Sequence, residues 1–114
     1  MSSASLNLFE RAILDWVAER TRDTALSVQL QSAKVKRRDY TRTGFFVYLI
    51  VEDQCENVST MVRPECPHVI SPELMDGAGC NLFLRNGRLH YLEIYARGGF
   101  IAETMEVFTL EEEQ

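Results

Sequence analysis

The dipeptide Asn86-Gly87 constrains this chain more than any other feature of its sequence. A type I′ turn needs positive φ at both central residues, and Asn-Gly tolerates it, so the pair predicts a two-residue β-hairpin. The flanking runs, Cys-Asn-Leu-Phe-Leu-Arg before it and Arg-Leu-His-Tyr-Leu-Glu-Ile-Tyr after it, are rich in strand formers. A two-residue loop sets the register: Arg85 faces Arg88, Leu84 faces Leu89, Leu82 faces Tyr91 and Cys80 faces Glu93. Side chains alternate across a strand, so Cys80, Leu82, Leu84, Leu89, Tyr91, Glu93 and Tyr95 are expected on one face. Asn81, Phe83, Arg85, Arg88, His90, Leu92 and Ile94 are expected on the other. Glu93 then lies in the middle of a nearly apolar surface.

The rest of the chain supplies layers for that hairpin. Leu6, Phe9, Ile13, Trp16, Val17 and Arg20 recur at three- and four-residue spacing, with Leu8 and Ala12 widening the stripe. This predicts a helix of about four turns capped by Ser5, with Glu10, Arg11, Asp15, Glu19 and Arg22 mostly outside the stripe. Asp23-Thr24 starts a second short helix or turns the chain into a strand; helix is the preferred reading of residues 24–33. Lys34 to Arg42 holds five cations among nine residues and reads as an edge strand protected by charge. After Gly44, the apolar run Phe45 to Val51 predicts a central strand covered on both faces. Prolines and acids break any period between Glu52 and Asp76, leaving room for a short strand at Met61–Arg63 or His68–Ile70. A last strand is expected over 103–110, followed by a solvated acidic tail at 111–114. The expected fold is α+β: an N-terminal helix packed on a curled, mainly antiparallel sheet in a two-layer sandwich, forming one domain over 1–114.

Charge and composition narrow the functions. A net charge of −5 argues against general nucleic-acid binding, which relies on neutralising phosphates. No apolar run is long enough to span a bilayer, so no membrane association is expected. Met-Ser-Ser-Ala-Ser lacks the basic and apolar regions of a signal peptide. Cys55, Cys66 and Cys80 are odd in number, which fits a reducing, cytoplasmic location. Cys66-Pro-His68 places two metal-ligand types close together, but the paired spacings of zinc sites are missing, and neither His68 nor His90 forms a nucleophile pair. No metal, cofactor or catalytic constellation is expected.

Three readings of function remain. The first is a non-enzymatic binding domain that meets a protein partner or a second copy of itself, with an immunity-protein-like role as a variant. The second is a small-molecule binder or enzyme with a pocket between helix and sheet. There Glu93 acts as anchor or general acid, with Tyr91, Tyr95, Arg38 and Tyr40 as polar companions, because a desolvated carboxylate is a marker of sites. The third is weak nucleic-acid binding through strand 34–42, where Tyr40 and the following Phe45-Phe46 interleave with charge.

Two segments resemble a family of small uncharacterised bacterial proteins. Those carry a Gln-Leu pair after a helix, an Arg-x-x-Thr-x-x-Gly-Phe-Phe stretch and a hairpin ending Gly-Arg-Leu-x-x-Leu-Glu-x-Tyr. The matching residues are Gln29-Leu30; Arg38, Thr41, Gly44, Phe45 and Phe46; and Gly87, Arg88, Leu89, Leu92, Glu93 and Tyr95. The resemblance implies one helix-plus-sheet domain, draws attention to Arg38, Thr41 and Glu93, and implies no reaction. Arg42 departs from it, standing where a glycine is expected.

Overall fold

The computed structural model describes residues 4–113; Met1–Ser3 of the leader reading and Gln114 of the tail lie outside the described residues. Two helices precede a six-stranded antiparallel sheet that is not closed. Helix α1 spans Leu8–Arg20 and α2 spans Thr24–Ser32. The strands are β1 (Lys34–Tyr40), β2 (Gly44–Ile50), β3 (His68–Ile70), β4 (Ala78–Arg85), β5 (Arg88–Ala96) and β6 (Thr109–Glu111), in the order β1-β2-β5-β4-β3-β6. The fold is the expected α+β arrangement of N-terminal helices on a curled sheet.

Local chemistry explains the helix boundaries. Asn7, not Ser5, caps α1: its side chain accepts from the Glu10 amide while Glu10 reaches back to the Asn7 amide. This capping box satisfies two amides that a helix start leaves without partners. It also draws Glu10, expected on the wet side, down to 3% exposure, whereas Leu8, expected to widen the apolar stripe, is 86% exposed. Asp23 caps α2 by accepting from the Leu26 amide, and the helical reading of 24–33 holds. Ile13, Leu14, Val17, Leu26 and Leu30 pack as one core with Val35, Val47, Leu92 and Ile94 of the sheet.

Two β-bulges decide which residues meet that core. Asn86 and Gly87 have the predicted positive φ, +54° and +79°, and Leu84 pairs with Leu89 as expected. One residue later the ladder slips: Phe83 pairs with Tyr91, Leu82 with Leu92, Asn81 with Glu93 and Cys80 with Ile94. His90 is the additional residue, and a single extra residue reverses the facing of everything beyond it. The helix side therefore receives Leu82, Leu92, Cys80 and Ile94, and Tyr91, Glu93 and Tyr95 turn to the opposite face, correcting the expected register. The second slip lies between Val35 and Arg37, where Lys36 is additional.

Strand β2 is internal to the sheet but covered on one face alone. Phe45, Val47 and Leu49 are buried, Phe46 and Tyr48 are half-buried, and Ile50 is exposed. The expected strand at 103–110 reduces to Thr109–Glu111; Ile101 and Met105 instead anchor an irregular crossing segment in the core. Of the two short strands weighed for the proline-rich region, His68–Ile70 forms and Met61–Arg63 does not. Arg42 has a φ of +71°, the conformation that makes glycine the expected residue there. No helix among the described residues is long and apolar enough to cross a membrane.

Candidate functional site

The candidate ligand residues separate into two groups on opposite sides of the sheet. Arg38 and Tyr40 of β1 face the helices, where they line a cleft of about 140 Å3 with Glu10, Phe45, Glu103 and Met105. The Lys36 bulge is the reason, since it places Arg38 opposite Val47 and Tyr40 opposite Phe45, both core-facing. Arg38 grips Glu10 in a bidentate pair, Nε to Oε2 and Nη2 to Oε1, both 2.7 Å. The Glu10 hydrogen bond is the main cause that raises the Arg38 pKa above its ordinary value. Tyr40 donates its hydroxyl to the Ile101 carbonyl at 2.6 Å, fixing the crossing segment. Thr41 belongs to neither group: it closes the β1–β2 turn, its amide donating to the Gly44 carbonyl.

Glu93, Tyr91 and Tyr95 lie on the other face of the sheet, where no helix packs. Glu93 accepts from Asn81 Nδ2 at 3.2 Å, a solvent-side contact between facing strands. The expected pocket between helix and sheet thus has Arg38 and Tyr40 on it and Glu93 outside it.

The ladders arrange the helix-free face into three cross-strand rows. Arg37, Tyr48, Tyr91 and Phe83 form the first, Asp39, Phe46, Glu93 and Asn81 the second, and Gly44, Tyr95 and Gly79 the third. The first row is a continuous aromatic ridge. Phe83 and Tyr91 stack with centroids 4.5 Å apart, Tyr48 lies 5.5 Å from Tyr91, and Phe46 approaches Tyr91 edge-on at 5.9 Å. Arg37 covers the Tyr48 ring at 4.0 Å, and its hydrogen bond with Asp39 raises its pKa. The third row is low, because no side chain rises from either glycine and the end of the Tyr95 ring occupies the space beside Gly79. Phe83 and Ile50 remain 39% and 47% exposed.

The cysteine–histidine group behaves as structure. His68 Nδ1 accepts from Arg97 Nε at 3.0 Å, and Arg97 also pairs with Glu113, tying the acidic tail to the sheet. Burial pushes the Cys66 thiol up to about 11, and Cys80 is raised by burial as well, so both stay protonated and weakly nucleophilic at neutral pH. Gln29, named in the sequence only within the Gln29-Leu30 pair, has a junction role that the sequence reading missed: fully buried in α2, it donates to the Glu56 and Gly87 carbonyls and accepts from the Leu89 amide. The Asn7-x-x-Glu10 spacing was the available signal for the buried Glu10; nothing in the sequence signals the His90 bulge.

No protein-family model matches this chain, and neither a curated protein nor a solved structure matches it.

Proposed function

We propose that this chain is a non-enzymatic protein-interaction domain whose working surface is the helix-free face of its sheet. The observation that carries the reading is the aromatic ridge Tyr48–Tyr91–Phe83, on a face where no helix packs and where Phe83 is 39% exposed. Monomeric proteins seldom leave contiguous apolar surface of this kind without a use. Ring geometry favours a protein over a nucleic acid. Base stacking needs free ring faces, whereas Phe83 and Tyr91 present theirs to each other and Arg37 covers one face of Tyr48. The cations of strand 34–42 are also divided, Arg38 committed to Glu10 and Arg37 to Asp39.

A small-molecule reading rests on the cleft at Arg38 and Tyr40. It ranks second because about 140 Å3 is well below the ~300 Å3 at which ligand pockets begin, and Glu10 already neutralises Arg38.

Site-specific photo-crosslinking tests the first reading. A benzophenone side chain is placed at position 83, and as controls at exposed Val28 on α2 and Met61 in the loop, in lysate of the source cells. Protein adducts concentrated at position 83 are expected. Equal yields at all three positions, or adducts to nucleic acid alone, overturn the reading.

A further inference from the structure

We infer that an acidic, extended segment of a partner protein enters the groove between β4 and the loop 58–64 and pairs with the open edge of β4 as an added strand. This rests on the reading of the chain as an interaction domain and names the chemistry of the partner's contacting segment.

The groove exists because the sheet is interrupted beside β4. Strand β3 has three residues, and its ladder to β4 is confined to Val69 opposite Ala78. In the continuing register Pro67 falls opposite Cys80, and proline has no N–H to give to a ladder. Further back, the chain is tied to the hairpin at Val58, whose amide donates to the Gly87 carbonyl at 2.7 Å. The space between these two ties is about 350 Å3, above the ~300 Å3 at which ligand pockets begin. Leu82, Phe83 and Leu84 all line it. Successive side chains of a strand point to opposite faces, so a space that touches three in a row lies along the strand's edge.

That edge carries open ladder groups. In antiparallel pairing, alternate residues exchange both hydrogen bonds with a given neighbour. Ala78 turns its groups outward to Val69, so Cys80 and Leu82 turn theirs outward too. At the other end the residues flanking the two-residue turn, Arg85 and Arg88, exchange bonds, which leaves Leu84 facing outward. Among the described residues no backbone group pairs with Leu82 or Leu84 on this side, and the Leu82 amide meets the Cys66 sulfur, a weak acceptor. Another extended backbone supplies donors and acceptors at the matching spacing. The outer edges of the sheet are guarded, β1 by Lys34, Lys36, Arg37 and Arg38, and β6 by Glu111 and the acids after it. Leu82–Leu84 has neither charge nor proline, the devices that keep an edge from pairing.

Charge sets the character of the segment. Arg63 is the one charged side chain that lines the groove, and it is exposed. Its guanidinium donates to the Thr60 and Val62 carbonyls at 2.9 and 3.3 Å and forms no ion pair among the described residues. A carboxylate on the entering strand pairs with it without displacing another acid. Half-buried Val62 and Leu84 and the Phe83 ring offer apolar contacts to the side chains on either side of that carboxylate.

Titration of the full chain, followed through its backbone amide NMR resonances, tests the proposal. The probes are acetylated, amidated pentapeptides of valine and threonine with a single glutamate placed at each position in turn, at up to about 2 mM. At least one of them is expected to give saturable shifts confined to 58–64 and 82–87, and to slow exchange of the Leu84 amide at least about tenfold at saturation. Replacing its glutamate by lysine should weaken binding at least about fivefold, and Arg63→Glu should reverse that preference. N-methylation of the central amides of the peptide should abolish binding, and Leu84→Pro, which deletes an outward amide, should weaken it at least about fivefold. Circular dichroism verifies the fold of both variants. The lysine and N-methylated peptides probe the same contacts on the unaltered chain, so a variant that fails to fold leaves the test complete. No saturable binding by any peptide, equal binding of the N-methylated form, or equal binding of the lysine and glutamate forms overturns the proposal. So does inorganic phosphate that shifts the same resonances with equal affinity, the mark of a plain anion site. The two readings fail separately: protein adducts concentrated at position 83 of a chain that binds none of the peptides refute the groove alone, and loss of both signals refutes the interaction reading.

Discussion

Replacing Gln29 by methionine removes a buried junction while almost preserving its volume. The Gln29 amide ties together α2, the loop at Glu56 and the β4–β5 turn, through bonds of 2.7, 3.0 and 2.9 Å to the Glu56 carbonyl, the Gly87 carbonyl and the Leu89 amide. The three losses are unequal. Gly87 keeps a second partner in the Val58 amide at 2.7 Å, and the exposed Glu56 can turn its carbonyl to water. The Leu89 N–H, in a residue 5% exposed, is left without an acceptor. A buried unsatisfied donor costs about 1–3 kcal/mol, and the variant is spared the desolvation of an amide, so a net loss of about 2 kcal/mol is expected. For a chain of this length that lowers the melting temperature by roughly 8 °C. Urea unfolding measures the loss, and native-state hydrogen exchange localises it as an acceleration of about 30-fold at the Leu89 amide. Gln31→Met, at an exposed site on the same helix, serves as the control and should change stability by less than about 0.5 kcal/mol. Equal effects of the two variants, or a Leu89 amide protected as in wild type, would refute the assignment of Gln29 as the junction.

Three further perturbations follow from the same geometry. Arg38→Met leaves the Glu10 carboxylate buried without its cation; because Arg38 is itself about a third exposed, a loss of about 3 kcal/mol is expected, at the low end for a broken buried pair. Glu10→Gln combined with Arg38→Met should recover part of it in urea unfolding, and a double variant no better than the single contradicts the pairing. Gly44→Ala drives a methyl group into the Ile94 backbone carbonyl, which cannot retreat, whereas the methyl of Gly79→Ala meets the movable ends of Tyr95 and Arg97. Thermal unfolding should show a loss of about 3 kcal/mol for the first and about 1 kcal/mol for the second, and the reverse order would refute the register of β2 on β5. The Cys66 thiol, raised by burial from 9.0 to about 11, holds its proton in the folded chain at a pH where the unfolded chain has released it. The unfolded state then binds fewer protons, so stability falls as pH rises from about 9 to about 11, and Cys66→Ala should flatten that part of the profile by up to about 2.7 kcal/mol. An alkaline profile identical in the two proteins would refute it.

The sequence by itself determined the elements whose signals are local. Asn86-Gly87 specified its turn because few other residue pairs accept two successive positive φ values, and Asp23 capped α2 because the oxygen and the amide it serves are three residues apart. The edge position of the cationic strand was legible for the same kind of reason, since charge at an edge protects the strand wherever it lies. Even Glu10 had a local signal in Asn7-x-x-Glu10, overruled by the stripe reading. Tertiary structure alone decided which face each side chain serves. The His90 and Lys36 bulges insert single residues whose effect is a reversal of facing, and strand alternation carries that reversal to every position beyond them. Glu93 passed in this way from an expected buried site to the open face, and Arg38 from an exposed edge to a buried carboxylate. Whether β2 is covered once or twice depends on how many layers the chain can supply. With two short helices and irregular segments on one side, none remains for the other, and the aromatic ridge stays on a face without a helix layer.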